Sequence, residues 1–83
     1  MKGSLVWKDG RWHCDGQGIH AGEHMELKMP TRDVVIDGRK LRWLPVRIES
    51  GNGGERLFAY MDLGGLTFVC TINVERDQLR WPS

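Results

Sequence analysis

Only two cysteines, three prolines and one tyrosine occur among the 83 residues. Cys14 and Cys70 are too few for a disulfide scaffold, which makes a reducing compartment the default expectation. No apolar run approaches the roughly 18 positions of a membrane-spanning helix. The opening residues, from Met1 to Lys8, hold no apolar stretch of signal-peptide length. The expectation is a cytoplasmic protein with no membrane partner. Neither sign of charge dominates, because 12 Lys and Arg stand against 11 Asp and Glu. A domain dedicated to nucleic acid is usually far more basic. The length excludes doubly wound nucleotide-binding sheets and barrels of βα units. No repeat, linker or low-complexity tract divides the chain, so residues 1–83 read as a single β-barrel domain.

What the chain does have is glycine, tryptophan and arginine. Eleven glycines recur at short intervals, which suits short strands joined by tight turns. Asp9-Gly10 and Asp37-Gly38 each sit between segments of strand type and predict hairpins, since both residues of such a pair tolerate positive φ. Residues 15–18 predict a further turn, and Ile19 an apolar side chain dropped inward from a loop. From His24 to Met29 the pattern alternates, with Met25, Leu27 and Met29 on one face. Period two predicts a half-buried strand, the alternative being a short helix ended by Pro30. Lys40 to Glu49 reads as one long strand, with Leu44, Val46 and Ile48 opposite Trp43, Pro45, Arg47 and Glu49. Pro45 has no N–H to donate and predicts an edge or a bulge. Two more strands follow, near 56–61 and 66–72, then a polar connector at 73–77 read as a single 3₁₀ turn, and a short closing strand. The predicted fold is all-β: a small SH3-like, partly open barrel of five to seven short antiparallel strands with at most one 3₁₀ turn. Trp12 and Trp81 are expected to be mainly core, and Trp7 and Trp43 partly exposed.

Several of these residues together carry a resemblance. Gly10-Arg11, Gly22-Glu23, the segment Trp43-x-Pro45-x-Arg47-Ile48-Glu49 and the closing Leu79-Arg80-Trp81-Pro82 resemble a small bacterial domain family of unknown function. Its members are short proteins of Firmicutes genomes and mobile elements. The resemblance spans most of the chain and is most specific from Trp43 to Glu49. It implies a compact β domain and no particular activity.

The candidate binding residues are Arg39, Lys40, Arg42, Trp43, Pro45, Arg47 and Tyr60. Arg39, Lys40, Arg42 and Arg47 form the densest basic stretch, and Arg with Trp are the types most enriched at binding hot spots. Two occupants fit. A protein segment, from a partner or from a second copy in a homodimer, would lie on the Trp43, Pro45 and Arg47 face as extended ligands do on aromatic grooves. Single-stranded nucleic acid would instead use the cations for phosphates and Trp43 for base stacking. Asp37 and Glu49 flank the stretch and count against the second. No catalytic, metal or cofactor site is expected. His20 and His24 have ligand-like spacing, but Cys14 and Cys70 lack the paired Cys-x-x-Cys arrangement that fixes two zinc ligands at once. His13 adjoins Cys14, so in a strand it points to the opposite face and cannot serve as its base. Gly51-Asn52-Gly53-Gly54 resembles a phosphate loop in glycine content alone. The functional expectation is a protein-binding or assembly module without catalysis, and the alternative is a nucleic-acid-binding accessory protein of a phage or mobile element.

Overall fold

The computed structural model describes residues 4–29 and 34–83. Pro30, which bounds the alternating segment in the sequence, lies outside these residues. Ten strands follow in order: β1 (Leu5–Lys8), β2 (Arg11–Cys14), β3 (Gln17–Gly18), β4 (His24–Lys28), β5 (Val34–Ile36), β6 (Arg39–Leu41), β7 (Trp43–Gly51), β8 (Arg56–Leu63), β9 (Leu66–Thr71) and β10 (Leu79–Arg80). They form a three-stranded sheet β1-β2-β3, a five-stranded sheet β10-β4-β7-β8-β9 and the separate hairpin β5-β6. All pairing is antiparallel.

The all-β expectation holds, but the described residues contain no closed barrel, and the strands number more than the five to seven expected. One cause is the segment read as a single long strand. It bends at Arg42, where the chain leaves its pairing with β5 and takes up β4 instead. Another is that the 15–18 turn is tight enough to return two residues as β3. The 3₁₀ turn also lies elsewhere than expected, at Asn52–Gly54. Residues 73–77 instead form a loop closed on itself, with Asp77 N–H donating to the Asn73 carbonyl (2.7 Å) and Asn73 N–H to the Asp77 carboxylate (2.8 Å).

Local chemistry accounts for the hairpins. Asp9-Gly10, Asp15-Gly16 and Asp37-Gly38 all have positive φ at both positions, as does Gly64-Gly65. That is the two-residue turn whose twist matches right-twisted strands. The core then follows from the alternation. Met25 and Leu27 of β4, Leu44, Val46 and Ile48 of β7, and Leu57 and Ala59 of β8 are buried together with Cys14, Ile19, Ile72 and Leu79. Trp12 and Trp81 are half-buried against this cluster, while Trp7 is exposed. Two hydrogen bonds tie the small sheet to the large one: the Cys14 thiol donates to the Leu79 carbonyl (3.1 Å), and the Trp81 indole N–H donates to the Cys14 carbonyl (2.9 Å).

Pro45 sits inside β7, a central strand, and pairing explains how it is tolerated. Met29 N–H donates to the Arg42 carbonyl (2.7 Å). Hydrogen-bonded and non-hydrogen-bonded pairs alternate along an antiparallel ladder, so Glu26 and Pro45 form a pair that exchanges no backbone bonds. The proline nitrogen therefore faces the β8 side. The β7–β8 ladder stops at Arg47, two residues short of Pro45. The sequence reading of an edge at Pro45 thus holds locally, on one flank of an otherwise interior strand.

Candidate interaction surface

Beyond Arg47, β8 parts from β7 and continues with β9 alone, from Met61↔Phe68 to Leu63↔Leu66. The cleft at this divergence has a volume of about 230 Å³ and is lined by His24, Pro45, Arg47, Tyr60 and Asp62. It lies on the face of the five-stranded sheet opposite the core. The register sets four side chains in one cross-strand row there, because His24 pairs Arg47, Arg47 pairs Tyr60 and Tyr60 pairs Val69.

The structure thus brings Trp43, Pro45, Arg47 and Tyr60 onto one face. It places Arg39 and Lys40 in a different sheet, exposed on the β5-β6 hairpin, with Arg42 at the bend between the two. The basic stretch of the sequence is divided between two structural units.

On the outer face the cations are engaged with aromatic rings and carboxylates. The Arg47 guanidinium lies 4.9 Å from the Tyr60 ring centroid and 3.0 Å from Glu49. The Arg80 guanidinium lies 4.3 Å from the Trp43 ring centroid and bonds Glu26 at 2.5 Å, and Lys28 Nζ is 5.9 Å from the same ring. Exposed pairs of this kind contribute little individually. Together they neutralise two arginines and occupy Trp43 and Tyr60, the groups that a phosphate and a base would need.

Glu26, Lys28 and Arg80 were not among the sequence candidates. The polar face of the β4 alternation carried a signal for the first two. No local pattern places Arg80 on this face, because its contact with Glu26 spans 54 positions and depends on β10 docking beside β4.

A second feature adjoins this face. Among the described residues the sheet ends at β9, Leu66-Thr67-Phe68-Val69-Cys70-Thr71, which carries no charge and no proline. Its residues are exposed except for half-buried Cys70. Leu66 is 64%, Phe68 46% and Val69 53% exposed. Ile72 N–H donates to the Leu57 carbonyl (2.9 Å). By alternation, Cys70, Phe68 and Leu66 direct their backbone groups towards β8, and Thr67, Val69 and Thr71 direct theirs to the open edge. Sheet edges are ordinarily shielded by charge, proline, a bulge or shortness. Among the other outer strands described, β1 carries Lys8, β6 carries Arg39 and Lys40, and β3, β5 and β10 have two, three and two residues.

The remaining chemistry is sparse. A hollow of about 570 Å³ lies against the 73–78 loop and is bordered by Leu5, Trp12, Val74 and Asp77. Asp77 is already committed to closing that loop. Among the described residues no three His, Cys, Asp or Glu side chains come together as metal ligands, and no helix is long and apolar enough to cross a membrane. Both cysteines are free thiols. Burial, and after it the Asp15 carboxylate, pushes the Cys14 thiol up to about 11. Burial raises Cys70 as well, with Asp77 adding to it. Neither group is poised as a thiolate nucleophile at neutral pH.

The Cys14 shift has a measurable consequence. In the unfolded chain this thiol ionises near its ordinary value of 9.0. Its contribution to stability is therefore complete below pH 9 and is lost as pH rises through about 11. The loss across that window amounts to about 2 kcal/mol. Urea midpoints at pH 8 and pH 11 should fall more steeply for the wild type than for Cys14→Ala. Parallel slopes would show that this thiol is not coupled to folding.

No family model, curated protein or solved structure matches the chain.

Proposed function

We propose that this protein is a binding module that takes an extended protein segment as an added strand along β9, without catalysis. The observation that carries this reading is the open edge itself: six uncharged residues in a row, three of them aiming N–H and C=O groups outward. Strand addition draws affinity from main-chain bonds and specificity from flanking side chains. The row from His24 through Arg47 and Tyr60 to Val69 runs directly to that edge and supplies the flanking chemistry. A ligand residue beside Val69 would extend the row. Kinship with SH3-type barrels, and with the small bacterial family whose Trp43 to Glu49 pattern the chain resembles, belongs to the same proposal.

The nucleic-acid alternative draws mainly on Arg39 and Lys40, exposed on the β5-β6 hairpin, while Arg47 is held by Glu49 and Tyr60. The two readings separate in one comparison. Displayed extended peptides of ~10 residues are selected on the wild type and re-tested on Val69→Lys, which places a charge on the edge. Selected peptides should lose at least ~10-fold in affinity on the variant, and the Thr67, Val69 and Thr71 amides should exchange more slowly in their presence. Binders indifferent to the variant, or none at all, would remove strand addition. Labelled single-stranded DNA or RNA bound at ~50 mM salt, and released as salt rises, would support the alternative instead.

A further inference from the structure

The edge specifies one occupant better than others, and we propose that it is the β9 strand of a second copy, paired antiparallel about a two-fold axis at Val69. This inference rests on the strand-addition reading and goes beyond it by naming the partner and the register.

A two-fold axis makes a strand meet its own sequence reversed. Any charge on β9 would then face a like charge nearby, an arrangement that destabilises sheet pairs. The strand has none. Only some registers also match the backbone groups that point outward, which belong to Thr67, Val69 and Thr71. With the axis at Val69, Val69 faces Val69 of the second copy, and Thr67 faces Thr71 in both directions. All three outward residues of each copy then fall in hydrogen-bonded pairs, and no N–H or C=O on the seam is wasted.

Shifting the axis to Phe68 sets Thr71 opposite Gly65, which lies in the hairpin turn at φ +82° and is not extended. Shifting it to Cys70 sets Thr67 opposite Asn73, beyond the end of β9, whose N–H already donates to Asp77. Both neighbouring registers therefore lose outward pairs, and the register about Val69 keeps them all.

Side chains agree with the backbone. On the outer face the central contact is Val69 with Val69, flanked by Thr67–Thr71 pairs, combinations that suit cross-strand neighbours. On the other face Phe68 comes opposite Cys70 of the second copy, which covers part of the exposed Phe68 ring. The two five-stranded sheets become one continuous ten-stranded sheet, and each His24–Arg47–Tyr60–Val69 row meets its counterpart head to head. A seam of six residues is smaller than the ~800 Å² per partner of a standard stable interface, so the dimer belongs to the weak, concentration-dependent class.

Light scattering and sedimentation from ~10 µM to ~1 mM test this directly. Wild type should pass from monomer to dimer over that range. Val69→Lys, which sets two ammonium groups against each other at the axis, should raise the dissociation constant at least ~10-fold. Thr71→Lys serves as a second variant if the first folds poorly. In a Cys70→Ser background, Val69→Cys should form a disulfide-linked dimer under mild oxidation, since hydrogen-bonded antiparallel pairs set Cα atoms ~5.5 Å apart, within disulfide reach. A wild-type chain that stays monomeric at ~1 mM, or a dimer that neither edge variant weakens, overturns the proposal. If peptides still bind in a Val69→Lys-sensitive way while the chain stays monomeric, the self-pairing fails and the strand-addition reading survives. If edge-directed peptides are absent as well, both fail.

Discussion

Replacing Ile48 by alanine should lower the unfolding free energy by about 4 kcal/mol, near the upper end of what truncating a fully buried aliphatic side chain costs. Ile48 has no exposed surface and lies in the middle of β7. Its backbone anchors the Ala21-Gly22-Glu23 loop, accepting from Gly22 N–H (2.7 Å) and donating to the Glu23 carbonyl (2.8 Å). Directly across the ladder stands Ala59, also fully buried. A methyl group cannot swing into the vacated space, so the cavity persists and adds to the lost transfer energy. A domain of this length has a total stability of ~4–12 kcal/mol, so the substitution should remove between about a third and all of it. Urea titration of Ile48→Ala beside Ile48→Val checks the assignment, with Ile48→Val expected to cost about 1 kcal/mol. A loss under about 1.5 kcal/mol for the alanine variant would mean that neighbouring side chains close over the vacated space.

The second large effect concerns the junction between the sheets. Trp81→Ala should cost about 3 kcal/mol and should act unevenly. The Trp81 indole packs on the core and donates to the Cys14 carbonyl, while the Cys14 thiol donates to the Leu79 carbonyl. These two bonds join the end of β2 to β10 and to the chain just after it. Removing the indole should release the β1-β2-β3 sheet first. Amide exchange at Val6 and His13 should then quicken more than at Met25 or Val46. Trp81→Phe retains most of the apolar contact but removes the indole N–H that the Cys14 carbonyl accepts, and should cost about 1 kcal/mol. Uniform acceleration across both sheets in Trp81→Ala would contradict a junction located here.

Both effects bear on how far the chain could be read in advance. Residues 24–28 alternate between apolar and polar, and the buried face came out as Met25 and Leu27. Leu44, Val46 and Ile48 alternate along one strand and are buried together. Ile19, a single apolar residue in a polar loop, is buried. Each of these follows from a period of two or from one apolar residue among polar ones, which is local information. The interaction surface was half legible. Trp43, Pro45, Arg47 and Tyr60 share a face, since the first three alternate along one strand and Tyr60 is set opposite Arg47 by the β7–β8 hairpin. Arg39 and Lys40 were grouped with them by proximity in the chain, and the bend at Arg42 separates them. Arg80 and Val69 were missed because each reaches the face through a pairing that no local pattern encodes.

From the residues alone come the all-β class, the Asp-Gly hairpins and the inward faces of the alternating segments. An Asp-Gly pair admits positive φ wherever it stands, and an alternating segment must bury the same side whatever its neighbour. The tertiary structure decided the order of the strands, and with it that β9 is an open edge, that Pro45 turns its missing donor towards a ladder that has already ended, and that Arg80 covers Trp43. Those outcomes depend on which distant strands pair and in what register, and that choice is made by the shared core of the whole sheet, not by any segment within it.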